Sequence, residues 1–154
     1  MRKRDLYFNM QSLNAVGDLK GTQFAVAVLK NRKKIEDEII LLEEVIKPNP
    51  IFEEYEKKRI VLCEVHAEKD VDGKSVIVGD KYKLVDIDLF NIDLDKLKNN
   101  YQDIIDERVQ QINKYNNLLD EDIDIDLIKL KYDDLPENIS AKQLESIDFM
   151  TILD

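Results

Sequence analysis

From Thr22 to Ile46 the apolar residues Phe24, Val28, Ile35, Ile39, Leu42 and Ile46 recur at spacings of four, seven, four, three and four. That is the stripe of one long amphipathic helix, with Thr22 placed to serve as its N-cap. At about 1.5 Å per residue such a helix runs roughly 37 Å, and a stripe of that length needs a partner of similar length to cover it. The chain supplies one: from Asp93 a second stripe runs through Leu97, Tyr101, Ile104, Ile105, Val109, Ile112, Tyr115 and Leu119. The two predict an antiparallel helical hairpin, with helices over 22–46 and 93–118.

The segments between and around these stripes are shorter. Pro48-Asn49-Pro50 ends or kinks the first long helix, because neither proline donates a backbone hydrogen bond and each pushes its predecessor out of the helical region. A helix over 51–68 follows, with Ile51, Tyr55, Leu62 and Val65 on its stripe and Lys58 interrupting it, the stem along the apolar face and the ammonium in water. The period then changes to alternation, which with turns at Lys69–Gly73 and Gly79-Asp80 predicts a hairpin of strands 75–78 and 82–86. Leu6, Met10 and Leu13 mark a short helix over 4–14, and Ser140 with Gln143 forms a capping box that opens another over 141–149. The fold class is therefore α+β, mostly helical. It is a long, coiled-coil-like antiparallel helical hairpin kinked near Pro48 and Pro50, with a small antiparallel β-sheet and short terminal helices. At 154 residues it is expected to form a single domain, 1–154.

The stretch EDIDIDLIKLKY, residues 121–132, alternates acid and apolar just after Asp120. Two readings compete, a carboxylate ladder for a metal ion and a strand with an acidic wet face. A calcium loop needs glycine at its sixth position and a glutamate at its twelfth. Counting from Asp120 these are Ile125 and Lys131, and from Asp122 they are Leu127 and Asp133, so both registers fail. On a strand the aspartates would stand roughly 6.6 Å apart, too far for one side to wrap a single ion, while Ile123, Ile125 and Leu127 point inward together. The strand is favoured, paired with the 75–86 hairpin and bulged where Leu127-Ile128 breaks the alternation. Asp70-Val-Asp72-Gly73 fails as a calcium loop for the same reason, its glycine coming too early, and reads as a turn.

Cys63 and His66 lie three apart, on one helical face, yet they are the chain's one cysteine and one histidine. Zinc takes three or four protein ligands, and a reactive thiol sits in an electropositive spot rather than mid-helix beside Glu64, so packing is the expected role of both. No disulfide can form within the chain. A net charge of −10 opposes nonspecific nucleic-acid binding. The basic clusters Arg2-Lys3-Arg4, Lys30–Lys34 and Lys57-Lys58-Arg59 leave one local alternative, an anion site using Lys30, Arg32, Lys33 and Arg59. Gly 4 and Pro 3 are too few for the many turns of an all-β barrel. No apolar run reaches the roughly 18 residues of a membrane span, and Leu6-Tyr7-Phe8 is too short for a signal-peptide core. No membrane association, cofactor or metal is expected.

The order of parts carries a resemblance. A short helix is followed by LKGTQFAVAVLKNRKKIEDEIILLEEVIKP, then YEKKRIVLCEVHAEKDVDGK, a hairpin, a long helix and LDEDIDIDLIKLKYDDLPENISAKQLESI. From about Leu6 to Ile147 this resembles a family of small tailed-bacteriophage proteins. The resemblance rests on the lysine-rich helix after Leu-Lys-Gly, the Glu-Lys-Asp…Asp-Gly turn and the closing acidic strand with its Leu-Pro step. It implies a viral origin and a helical-hairpin fold, and it brings no catalytic residues. The expected function is a non-enzymatic, phage-encoded protein-interaction module, binding a phage or host protein or itself, in the virion or the host cytoplasm. The alternatives are a binder of small anionic ligands such as signalling nucleotides, acting as a host-defence antagonist, and a nucleic-acid-binding protein.

Overall fold

In the computed structural model, which describes residues 1–152, the first long stripe is one unbroken helix, α2 (Thr22–Ile46). Thr22 is its first helical residue rather than its cap. Gly21 takes that place with φ 135°, a conformation strained for any residue with a Cβ, and its carbonyl accepts from the Ala25 amide at 2.8 Å. Pro48 and Pro50 do more than kink the chain. Asn49 caps a separate helix, α3 (Pro50–His66), its side-chain oxygen accepting from the Ile51 amide at 2.9 Å, and Pro50 occupies the first turn, where no donor is needed. The remaining helices are α1 (Asp5–Ala15), α4 (Ile87–Asp120) and α5 (Ala141–Ser146), the last opened by the expected capping box. The fold class is α+β and mostly helical. Helix α4 starts six residues before the expected 93, because Asp86 caps it: its carboxylate accepts from the Leu89 amide at 2.9 Å.

The contacts divide the chain into two compact units, Lys47–Ile112 and the segments on either side of it. The first unit joins residues 1–46 to the chain from Asn113 onward. Its core takes Leu6 and Leu13 from α1, Phe24, Val28, Ile35 and Leu42 from α2, and Leu127, Leu130, Ile147 and Met150 from the closing segment. Tyr115, Leu118 and Leu119 of the end of α4 pack against it, with the Tyr7 and Tyr115 hydroxyls 2.9 Å apart. Burial and the Tyr115 hydroxyl push the Tyr7 phenol above its ordinary range.

The acidic segment departs from expectation. It is neither a continuous strand nor a partner of the 75–86 hairpin. Among the described residues there are two separate two-stranded sheets, β1 (Ile77–Val78) antiparallel with β2 (Lys81–Tyr82), and β3 (Leu130–Lys131) parallel with β4 (Thr151–Ile152). Residues 121–129 lack a strand ladder because their backbone is held in other ways. The Ile123 amide donates to the Met1 carbonyl at 2.8 Å, and the Asn31 side chain takes both polar groups of Ile128, donating to its carbonyl at 2.9 Å and accepting from its amide at 2.8 Å. The alternation survives without the ladder: Ile123 and Ile125 are half-buried and Leu127 buried, while Asp122, Asp124 and Asp126 are exposed. The phase shift expected at Leu127-Ile128 is a tight turn around Asp126, closed by the Leu127 amide on the Ile125 carbonyl at 2.8 Å.

Asn31 is fully buried, and its amide pairs with both backbone groups of one residue in the way a neighbouring strand would. Replacing Asn31 with Leu keeps the branched shape of the side chain but strands the Ile128 donor and acceptor. Urea unfolding is expected to show a loss of about 1–3 kcal/mol, and hydrogen exchange at the Ile128 amide should accelerate. An Asn14→Leu control, at an exposed position on α1, should show neither change.

Candidate functional site

The unit formed by Lys47–Ile112 is thinly built. Among its described residues only Tyr55, Cys63, Ala67 and Phe90 are buried. Helix α3 and the first part of α4 run antiparallel, His66 meeting Phe90 and Asp93, Tyr55 meeting Tyr101, and Phe52 meeting Arg108. The Tyr55 and Tyr101 rings are 5.7 Å apart, and α4 leaves helical geometry at Tyr101 (φ −128°, ψ 15°). There the Tyr101 hydroxyl donates to Glu54 at 2.8 Å and accepts from the Lys58 ammonium at 2.6 Å. Lys58 thus interrupts the stripe as expected, but its ammonium closes a ring with Glu54 and Tyr101. Glu54, then Tyr101, raises the Lys58 pKa, and Lys58 in turn lowers that of Glu54.

A small β-structure covers a second side of α3. The Val85 amide donates to the His66 carbonyl at 3.0 Å and the Glu68 amide to the Lys83 carbonyl at 2.8 Å, so residues expected in the second hairpin strand pair with the end of α3. This pairing leaves β1 and β2 only two residues each, shorter than the expected 75–78 and 82–86. Arg59, Ile60, Cys63, Tyr82, Leu84 and Phe90 line the shallow cavity between α3, β2 and the start of α4. The Asp70–Gly73 turn is built by the Asp70 carboxylate, which accepts from the Asp72 and Lys74 amides at 2.9 and 2.8 Å, with Gly73 at φ 77°.

The residues singled out in the sequence do not form one site. Lys30, Arg32 and Lys33 are exposed on α2, in the first unit, and Arg59 lies in the second. The Arg59 guanidinium is occupied by Glu56 through two hydrogen bonds of 3.0 and 2.9 Å. Cys63 is buried, and the His66 ring stands edge-on to Phe90 with Nε2 3.2 Å from an Asp93 carboxylate oxygen. The N-terminal cations lie against the acidic stretch: Lys3 pairs with Glu121 at 2.8 Å and Arg4 with Asp120, while Lys34 reaches Asp126. No group of three His, Cys, Asp or Glu side chains among the described residues is placed to hold a metal ion. No helix among them is long and apolar enough to cross a membrane.

The feature that sequence reasoning missed is apolar. The stripe on α3 is rotated from the expected one: Phe52, Tyr55, Arg59, Leu62, Cys63 and His66 are buried or half-buried, whereas Ile51 and Val65 are exposed. The spacing of three and four from Phe52 to His66 carried that signal, hidden because Arg59 and His66 do not count as apolar. A third side of α3 is left open, with Ile51 48%, Val61 56% and Val65 69% exposed. Ile77 and Val78 of β1, and Ile87, Leu89 and Ile92 at the start of α4, are also exposed.

Compared with protein-family models, with curated proteins and with solved structures, the chain matches none.

Asp93 links α4 to α3. The Lys96 ammonium, 3.0 Å away, holds its carboxyl below the ordinary aspartate range, aided by His66. A lowered pKa in the folded state adds stability above the unfolded value of about 3.9, and this is lost as pH falls through the folded value. Asp93→Asn is therefore expected to lower the melting temperature at neutral pH, with the gap to the unaltered protein closing as thermal unfolding is followed below about pH 4.

Proposed function

We propose that this chain is a non-enzymatic protein-interaction module that binds through the open side of the Lys47–Ile112 unit. The carrying observation is that Val61 and Val65 are more than half exposed on a unit with only four buried residues among those described. Apolar side chains left in water in this way favour association with another protein surface. From the resemblance of its sequence pattern to small tailed-bacteriophage proteins we infer a phage source, with a place in the particle or against a host factor. The surroundings of Cys63 and His66 favour packing over catalysis: the thiol is buried, and the imidazole is held between Phe90 and Asp93.

The anionic-ligand alternative has less support, because Glu56 already occupies the Arg59 guanidinium. Calorimetry against a panel of nucleotides is expected to show no heat of binding.

A photo-crosslinking amino acid at Val65 tests the main reading in infected cells, with the same probe at Glu137, an exposed position of the first unit, as control. Protein adducts are expected at Val65 and not at Glu137. Equal, background-level labelling at both positions would overturn the assignment of this side as a binding surface.

A further inference from the structure

The open side of α3 has a charge pattern that specifies its own partner. Lys57, Val61 and Val65 are spaced by four, and Glu64 lies seven after Lys57 and three after Val61, so the four share one broad helical face, and all four are exposed. Lys57 and Glu64, seven residues and about two turns apart, lie on the same rim of the apolar stripe. The other two sides of α3 are taken, one by α4 through the Tyr55–Tyr101 contact and one by the β-structure, where the Tyr82 hydroxyl reaches the Glu64 carboxylate at 3.4 Å.

We infer that a second copy of this chain docks antiparallel along that open side, related to the first by a two-fold axis. The inference rests on the interaction-module reading and names its partner. When two identical helices pack antiparallel, each rim meets the same rim of the other copy with its direction reversed. Lys57 of each copy then faces Glu64 of the other, giving two ion pairs on one side of a seam made by Val61, Val65 and the aliphatic stem of Lys58. Parallel packing would turn this rim toward the opposite rim of the other copy, where Glu54 already holds Lys58, and would leave Lys57 and Glu64 without each other. The Lys58 ammonium adds no unpaired charge to the seam, because Glu54 holds it at 2.7 Å within its own chain. An unrelated protein would have to reproduce this alternation, whereas a copy carries it already.

The test uses the full chain, with mass measured by light scattering and association by sedimentation. The unaltered protein is expected to be a dimer at tens of micromolar. Lys57→Glu and Glu64→Lys, each alone, set like charges against each other and should weaken dimerisation about tenfold or more. The double charge swap should restore it, which a merely structural role for either residue does not predict. Val65→Asp should give a monomer with unchanged helical circular dichroism; if that variant unfolds, the charge-swap set decides. A monomeric unaltered protein, or a dimer indifferent to the charge swaps, overturns the inference. A monomer whose Val65 probe still captures a different protein sinks the second copy and leaves the interaction-module reading standing. A monomer whose probe captures nothing sinks both.

Discussion

A single carboxamide holds the first unit closed. The Asn31 side chain reproduces, with one donor and one acceptor, the pair of hydrogen bonds that a neighbouring strand would give Ile128. The segment from Glu121 to Lys129 has no ladder of its own, and extended backbone brought against an apolar core must find partners for its polar groups. Asn31 meets that need from the middle of α2, on the same face as Val28 and Ile35, so apolar burial and polar pairing act on one line of contact. With Ile128 fixed, Leu127 and Leu130 enter the core on either side of it, and β3 is placed to pair with β4. Among the described residues no buried side-chain polar atom lacks a partner.

The second unit is organised by the opposite condition, a shortage of interior. Two helices and a few β-pairs make two layers, and α3 has three sides to cover with two neighbours. What binds the unit internally is largely polar and aromatic: Tyr101 bridging Glu54 and Lys58, Arg108 over the Phe52 ring at 5.6 Å, and His66 between Phe90 and Asp93. Exposed ion pairs of this kind contribute little each, and hydrophobic burial is the usual source of stability. A surface that keeps valines and isoleucines in water while holding its helices by such contacts has apolar area left over for association. The functional reading follows from that surplus rather than from a catalytic group.

The long helices were legible from periodicity, but not the start of α4, which Asp86 sets, nor the pairing: the 93–118 stripe was expected against 22–46, whereas Tyr55 and His66 of α3 meet Tyr101 and Asp93. The limits of α2 follow from its stripe and from Pro48, and the capping box of α5 is a local signal that needs no tertiary context. The acidic segment was legible in half. Which side chains turn inward depends on alternation, which the sequence displays; which backbone it pairs with depends on a residue about a hundred positions away, Asn31, which lies where the stripe steps seven residues from Val28 to Ile35, inside the Lys30–Lys34 cluster. The same limit explains α3. A stripe counted only in apolar residues gave Ile51, Tyr55, Leu62 and Val65, whereas the buried side includes Arg59 and His66, whose polar atoms are engaged by Glu56 and Asp93. Polar side chains with committed partners behave as interior residues, and composition does not reveal the commitment.

The basic clusters show the same distinction between charge and available charge. Lys3, Arg4, Lys34, Lys58 and Arg59 each lie against a carboxylate within their own unit. Reading a run of lysines as a phosphate site assumes that its field points outward, and here much of it is spent on nearby acids. Lys57 differs: among the described residues it forms no ion pair, even with Glu53 one turn before it, and Glu64 sits two turns further along the same face, beyond its reach within one helix. A cation and an anion on one rim, separated by apolar residues and too far apart to pair with each other, are each left to seek the opposite charge on another surface. That separation gives the open side of α3 a direction as well as an apolar character, since a merely greasy face would accept a partner helix in either orientation.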